Sequence, residues 1–428
     1  MSSPYTSTSQ IRSGVGSFAP PATGRCEPEV ASLSLFGLEF SLDTSSLDAL
    51  EGVVRTLTQD RLHGWFSDIP STEEVALLAT CHRVELLLLT GSATALESWR
   101  ERLPGDRSSW KLREGREVVH HLFRVASGRE SLAVGEGEVR HQVRGSRGSV
   151  ESRHPRSVLR DLLDGAVEAA DELFPEVPPS RSIAFVAAAR LLEVLPSSRP
   201  AVLVIGSGTI GRQVTERLAP FARVTVVYHQ KPPDRAFLSG TGARAVRLDQ
   251  MGPELADCDA VVTAAKFGSR GLRVSDLPRD RPIVLLDLGV PRNIDPEVRS
   301  LPNARLIDLQ DLRALPARSD AVPEEDLRVA ELAERFSERV ERLLLEPWVD
   351  AVRRAAEELR RAELAQARPF LGTLGPDQEA AVERLTQRLV ARLLLAPSER
   401  IRSLPPGPEG DFQRRLAVAL LRPAPSDP

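Results

Sequence analysis

Between Leu33 and Leu89 the chain carries three apolar runs, Leu33 to Phe40, Val75 to Leu78 and Val84 to Leu89, around a stretch of helical spacing that opens near Ser46. Short leucine- and valine-rich runs predict strands and the 3.6-residue period predicts a helix, so the first unit reads as α+β. From Arg113 to Arg144 the pattern is helix, loop, helix, with Ala126-Ser127-Gly128 and Gly135-Glu136-Gly137 as the breaks, and a Pro-containing stretch from Phe174 to Pro179 closes the unit. After Arg199-Pro200 the apolar runs Val202 to Ile205, Val224 to Tyr228, Ala260 to Ala265 and Ile283 to Leu288 alternate with helical segments, which predicts a parallel sheet. Beyond Pro323 nearly every segment is helical: Leu332, Phe336, Val340 and Leu343 share one stripe, Pro347 permits a kink, and a second helical unit runs from Pro376 to Leu395. The expected organisation is a tail at 1–30, an α+β domain at 31–180, an alternating α/β domain at 181–320, a long helix with a helical domain at 321–410, and a tail at 411–428.

Composition narrows the class. The chain has 428 residues, 41% hydrophobic and 27% charged, which is ordinary for a soluble protein of two or three domains. None of its apolar runs reaches the ~20 residues needed to cross a bilayer. Cys26, Cys81 and Cys258 are too scattered for a zinc site or a disulfide framework, so a reducing, cytoplasmic setting is expected and a metal is not. Residues 1–30 lack an apolar signal core and read as a disordered tail; a plastid transit peptide has a similar composition. The net charge of −4 exerts no global pull on nucleic acid. Arg140, Arg144, Arg147, Arg153, Arg156 and Arg160, with His141 and His154, form a local basic candidate that reads equally well as a solvated charged face.

The run Val202 to Ile205 leads directly into Gly206-Ser207-Gly208-Thr209-Ile210-Gly211. A GxGxxG between strand and helix lets backbone approach a pyrophosphate at a helix N-terminus, so a dinucleotide site is expected here. The next strand ends in Tyr228-His229-Gln230-Lys231, with no carboxylate before Asp234 to hold ribose hydroxyls. That leans toward NADP, whose extra phosphate could meet His229 or Lys231.

A candidate nucleophile is Cys81, in Thr80-Cys81-His82-Arg83-Val84-Glu85. If a strand begins there, Cys81 and Arg83 share a face, and the guanidinium would lower the thiol pKa or hold a carboxylate. Free cysteine is also among the most buried residue types, so a structural reading stands beside the catalytic one. His120 and His121, on the following helix, are both candidate proton donors.

Together these elements resemble the glutamyl-tRNA reductase family. Thr80, Cys81, Arg83 and Glu85 meet its Thr-Cys-x-Arg-x-Glu element, and His121 through Gly128 its His-Leu-Phe-x-Val-Ala-Ser-Gly element. Ser131, Gly135, Glu136, Gln142 and Val143 follow in order, then Asp287 to Pro296, then Leu385 to Leu404 in the place of a dimerisation segment. The resemblance implies an α+β catalytic domain, a Rossmann-type NADP-binding domain and a C-terminal all-helical dimerisation domain joined by a long helix. It implies Cys81 as nucleophile, His121 as an aid to catalysis, and substrate contacts at Thr80, His82, Arg83, Ser131, Glu136, Gly137, Glu138 and Gln142. The implied reaction is NADPH-dependent reduction of glutamyl-tRNA to glutamate-1-semialdehyde through a Cys81 thioester, the first step of the C5 route to 5-aminolevulinate and tetrapyrroles. A homodimer and a glutamate-1-semialdehyde aminomutase are the implied partners besides the tRNA. The chain departs from the family pattern in several places. His82 stands for Asn, Gly137-Glu138 for Pro-Gln, Arg140-His141 for Leu-Gly, and Tyr228-His229-Gln230 for Asn-Arg-Thr, and an N-terminal Asn-His-Lys-Thr-Ala-Pro stretch is missing. Two other readings remain open on sequence: an NADP-linked oxidoreductase of a small metabolite, resembling shikimate-type dehydrogenases, and a non-catalytic, diverged member that binds tRNA or a partner.

Overall fold

The computed structural model describes residues 32–176, 182–195, 199–265, 271–314, 323–372, 374–405 and 408–420. The expected tail at 1–30, the end of the Phe174 to Pro179 stretch and Lys266 lie outside the described residues.

The first unit runs β1 (Ser34–Ser41), α1 (Leu47–Thr56), α2 (Gln59–Asp68), β2 (Thr72–Ala79), β3 (Arg83–Thr90), α3 (Ala93–Arg102), β4 (Lys111–Glu114), α4 (Arg116–Ala126), α5 (Glu138–Ser146), β5 (Glu151–Ser152) and α6 (Val158–Leu173). Its strands form an antiparallel sheet in the order β4-β1-β3-β2-β5. Ser46, Thr58, Ser92 and Ser157 each cap a helix by accepting from a backbone N–H three residues on. Every residue of the central strand β3 is buried. Val84, Leu86 and Leu88 face a core under α1–α3, whereas Leu87 faces a second core under α4–α6.

The second unit runs α7 (Ile183–Val194), β6 (Ala201–Ile205), α8 (Thr209–Leu218), β7 (Arg223–Tyr228), α9 (Arg235–Thr241), β8 (Arg244–Arg247), α10 (Gly252–Asp257), β9 (Ala260–Thr263), β10 (Ile283–Asp287), β11 (Ala304–Ile307) and α11 (Leu309–Arg313). The strands are parallel in the order β11-β10-β9-β6-β7-β8, a doubly wound sheet whose order reverses beside β6. Alternate residues of β6 enter different cores, Val202 and Val204 on one face, Leu203 and Ile205 on the other.

Helix α12 (Pro323–Ala367) is 45 residues long, about 68 Å at 1.5 Å per residue. Its first half packs on α4 and α6, with the Phe123 and Phe336 rings 5.3 Å apart. Arg129 pairs with Glu325 and Asp326, and Arg116 with Glu334 and Glu341. Pro347 lies inside the helix. Beyond it, Trp348, Val349 and Val352 form a separate core with α13 (Pro376–Leu393), α14 (Leu395–Ser403) and α15 (Pro408–Ala419). Leu385, Leu389 and Leu393 are exposed, but Leu394 is turned inward onto the α12 core. No described helix is long and apolar enough to cross a membrane.

Candidate active site

Cys81 does not begin the strand. It occupies, with His82, the two-residue turn between β2 and β3, closed by Thr80 N–H donating to Arg83 O at 2.9 Å. The turn presents the thiol at the seam between units: Cys81, Leu42 and Leu132 pack on the same apolar cluster of the second unit as Ile210 and Val290.

Arg83 lowers the Cys81 pKa as expected but is outweighed. Burial and then the nearby Glu136 carboxylate push the Cys81 pKa up, and Arg83 lowers it by less. The reason is where Arg83 points. Its side chain is fully buried beneath the sheet, one nitrogen donating to Glu130 O at 2.6 Å and the other lying 3.6 and 3.7 Å from Glu85 and Glu39. Glu39 and Glu85 face each other directly across β1 and β3, a like-charge pairing that costs stability unless neutralised. Arg113 meets Glu39 at 2.6 Å and His121 Nε2 meets Glu85 at 3.0 Å. Burial alone would raise the Glu85 carboxyl, but His121, Arg83 and Arg113 outweigh it and hold it at about 2. Glu39, Glu85 and His121 also bring three potential metal ligands within 4.8 Å of one another, where Arg83 and Arg113 already supply positive charge. His121 thus sits within the ionic network under the sheet, whereas His120 turns outward to Glu334.

His82 is 1% exposed, and its Nδ1 lies 3.1 Å from Cys81 Sγ. Its Nε2 lies 3.0 Å from Glu130 O. Thr80 is buried beside it, and its hydroxyl receives the His82 N–H at 3.5 Å.

The loop between α4 and α5 supplies the opposite wall. Gly128 has φ +68, and a Cβ there would lie 2.5 Å from Glu136 N, so only glycine lets the loop fold back on itself. Gly135 N–H then donates to Gly128 O at 2.9 Å, and Glu136 is placed inside. Glu136 Oε1 accepts from Ile183 N–H at 3.4 Å, at the start of α7, while Oε2 has no partner among the described residues. Burial, partly offset by that hydrogen bond, and the neighbouring Glu138 push its pKa up to about 7. Gly137 is the N-cap of α5, and Glu138 lies in its first turn. Gln142, farther along α5, has a buried Oε1 without a partner among the described residues. Ser131 is half-buried in the same loop. Most of the basic candidate is spent internally: Arg140 and Arg144 on Asp171, Arg147 on Asp164, and Arg153 and Arg160 on backbone carbonyls.

The glycine turn follows β6 and opens α8, as expected. Gly206 has φ +123, and a Cβ on Gly211 would sit 2.0 Å from Gly206 O, so strand and helix meet through glycines. A Cβ on Gly208 would meet nothing within 4 Å, and no side chain caps the helix. Gly208 and Thr209 are exposed at the tip of this turn, with Ser207 and Ile210 half-buried on either side, which leaves room for a diphosphate at the helix N-terminus. His229 and Lys231 are exposed after β7. Asp234 is unavailable to a ribose: it caps α9 through Phe237 N–H at 2.7 Å and pairs with Arg212 at 2.7 Å.

Sequence reasoning missed two features. The buried partners of Arg83 could have been found from charged residues at period two in an otherwise apolar strand, Arg83 and Glu85, with Glu39 inside the run Leu38 to Phe40. Asp287 was noted only as part of a motif. It ends β10 and accepts from the backbone N–H of Gly289, Asn293 and Ile294, shaping a loop that extends Arg292 to Asp48 and Glu51 on α1.

Comparison with known proteins follows the same three-part division. Residues 39–175 match the model of the glutamyl-tRNAGlu reductase N-terminal domain, 188–315 that of shikimate/quinate 5-dehydrogenase, and 328–421 that of the glutamyl-tRNAGlu reductase dimerisation domain. Glutamyl-tRNA reductase 2 of a Nocardioides species is 32% identical over 317 residues, 68% of this chain and 70% of that one. Glutamyl-tRNA reductase of Salinispora tropica is 30% identical, over 82% of this chain and 83% of that one. The solved glutamyl-tRNA reductase from Methanopyrus kandleri superposes with a TM-score of 0.50 at 25% identity, covering 91% of this chain and 98% of that one. The shikimate-type match spans the doubly wound unit alone, whereas the units on either side match domains of one enzyme; the chain belongs to the glutamyl-tRNA reductase family.

Proposed function

We propose that the chain is a working glutamyl-tRNA reductase that uses NADPH and passes through a thioester on Cys81. The observation that carries this reading is a half-buried thiol at the tip of the β2–β3 turn, set against the nucleotide-binding unit and beside a buried, partly unpartnered carboxylate. A free carboxylate resists hydride, but an ester on tRNA can exchange onto sulfur, and the resulting thioester is reducible. Cys81 would displace the tRNA oxygen and hold the glutamyl group facing the second unit. Glu136 and Gln142 offer the unpartnered acceptors that a substrate ammonium group would fill. Thr80, Ser131, Gly137 and Glu138 would line the remaining pocket, with His82 and Arg83 beneath it. His121 would act through Glu85 and the ionic network rather than at the sulfur.

The cofactor's phosphates would lie on the Gly206 to Gly211 turn, with His229 and Lys231 toward a 2′-phosphate. The chemistry a bound NADPH supplies is hydride donation. The commitment of Asp234 to Arg212 and α9 favours NADPH over NADH, because no carboxylate is left to repel the extra phosphate. Loss of the Cys81 sulfur as leaving group would release glutamate-1-semialdehyde, which an aminomutase would consume on the way to 5-aminolevulinate. The exposed Leu385, Leu389 and Leu393 fit a homodimer, and a cytoplasmic setting fits the soluble tRNA substrate.

The test is semialdehyde formation from charged glutamyl-tRNA with NADPH or NADH. Turnover should be faster with NADPH, and protein given radiolabelled glutamyl-tRNA alone should keep hydroxylamine-sensitive label that Cys81→Ser does not. Equal labelling of the serine variant would overturn the thioester, and a preference for NADH would overturn the cofactor assignment.

A further inference from the structure

Resting on the thioester reading above, we propose that His82 is the base that activates Cys81. Nδ1 takes the thiol proton as Sγ bonds to the glutamyl ester carbon, and the same proton passes to the ester oxygen that leaves with the tRNA. One S–C bond forms, one C–O bond breaks, the proton moves from sulfur to nitrogen to oxygen, and no electron donor or acceptor is required.

Three observations carry this. The first is contact: Cys81 Sγ and His82 Nδ1 are 3.1 Å apart, in the same two-residue turn. The second is the tautomer. His82 Nε2 lies 3.0 Å from Glu130 O, which can only accept, and 3.4 Å from an Arg83 nitrogen, which can only donate; that nitrogen already donates to the same carbonyl at 2.6 Å, so the shorter contact assigns the hydrogen to Nε2 and turns the Nδ1 lone pair to sulfur. The third is need. Burial, Glu136 and Glu138 keep the thiol protonated against the pull of Arg83, so attack requires a base at hand.

The groups around the imidazole set its protonation state. Burial and then the Arg83 charge depress its pKa to about 4, against the opposing effects of the Glu130 carbonyl, Glu85 and Glu39. The ring is therefore neutral at physiological pH, the form that accepts a proton. It is also held rigid: Leu42 N–H donates to His82 O at 3.0 Å, and the side chain is 1% exposed. A purely structural role, in which His82 only anchors the 128–137 loop through Glu130, could be filled by an amide, which has no basic nitrogen. Asn is also the residue the related motif carries at this position.

The experiment compares native protein with His82→Asn and His82→Gln, using two probes of Cys81 between pH 5.5 and 8.5. One probe is iodoacetamide alkylation followed on the Cys81 peptide by mass spectrometry. The other is single-turnover label transfer from glutamyl-tRNA without NADPH. Native alkylation should be nearly flat with pH, whereas the variants, left with thiolate alone, should rise about tenfold per pH unit. Label transfer at pH 7 should fall on the order of 100-fold or more in both variants. Thermal melts identify any variant that does not fold, and the other then decides. Variants whose two profiles superpose on the native ones would overturn the proposal. Failure of the native protein to take label would instead overturn the thioester reading, with the alkylation profiles still deciding whether His82 acts on Cys81.

Discussion

At the scale of single residues, the candidate site holds a carboxyl group in an unfavourable state. Glu136 is 3% exposed, has one oxygen without a partner, and its pKa is pushed up to about 7, against about 4.3 for an unfolded glutamate. The folded protein therefore binds a proton that the unfolded chain releases. The stability this contributes is fully present below about pH 4.3 and is lost as pH rises through about 7. Glu136→Gln should be the more stable protein at pH 8, by up to about 3 kcal/mol, with the gap closing near pH 5. Thermal melts at the two pH values check this. The same variant should turn over more slowly, because the amide cannot attract a substrate ammonium as a carboxylate does. A Glu136→Gln protein less stable than native at pH 8 would mean that the carboxylate has a partner there.

At the scale of elements, the loop after β10 joins the two α/β-containing units. Asp287 gathers its backbone N–H groups, and Arg292 reaches the α1 carboxylates Asp48 and Glu51. The Glu51 side chain is 8% exposed, and its other ionic partner is Arg55 at 3.5 Å. Removing the Arg292 side chain leaves this nearly buried carboxylate with the backbone N–H of residue 292 and the long Arg55 contact among the described residues, a loss of charge-assisted bonds that costs roughly 1–3 kcal/mol. Arg292→Ala should lower stability toward urea by that order, and a double-mutant cycle with Glu51→Ala should return a coupling above about 1 kcal/mol. Additive effects would show that the loop docks by shape alone. The Arg313–Asp43 pair and the Gln310 side chain on Leu47 N–H, at 3.3 Å, reinforce the same seam.

At the scale of the whole molecule, α12 ties the first unit to a helical unit that exposes a stripe of leucines. Leu385, Leu389 and Leu393 are 67%, 56% and 65% exposed, a continuous stripe of the kind monomers rarely leave in water. Leu389 and Leu393 also line an open groove with Leu364 and Ala367 of α12. Covering such leucines contributes roughly 1.5–3 kcal/mol each before association costs. Light scattering of the full-length protein should therefore show a dimer, and Leu389→Glu should shift it to a monomer while leaving nucleotide binding intact. A native protein that is monomeric at micromolar concentration would refute the dimer.

Features set by neighbours along the chain were legible in the residues alone. The order of strands and helices follows from apolar period, and the glycine turn from its place between β6 and α8, because each is encoded within a few residues. Tertiary structure decided what depends on residues far apart. Arg83 turns beneath the sheet because Glu39 on β1 and Glu85 on β3 await it there, so the thiol loses the activation that adjacency had suggested. Asp234 is consumed by Arg212, and Leu394 by the α12 core. His82, expected among the substrate contacts, faces the sulfur because a carbonyl 48 residues later fixes its ring. Hydrogen bonds of that reach depend on how the chain folds back on itself, and no local pattern of residue types encodes them.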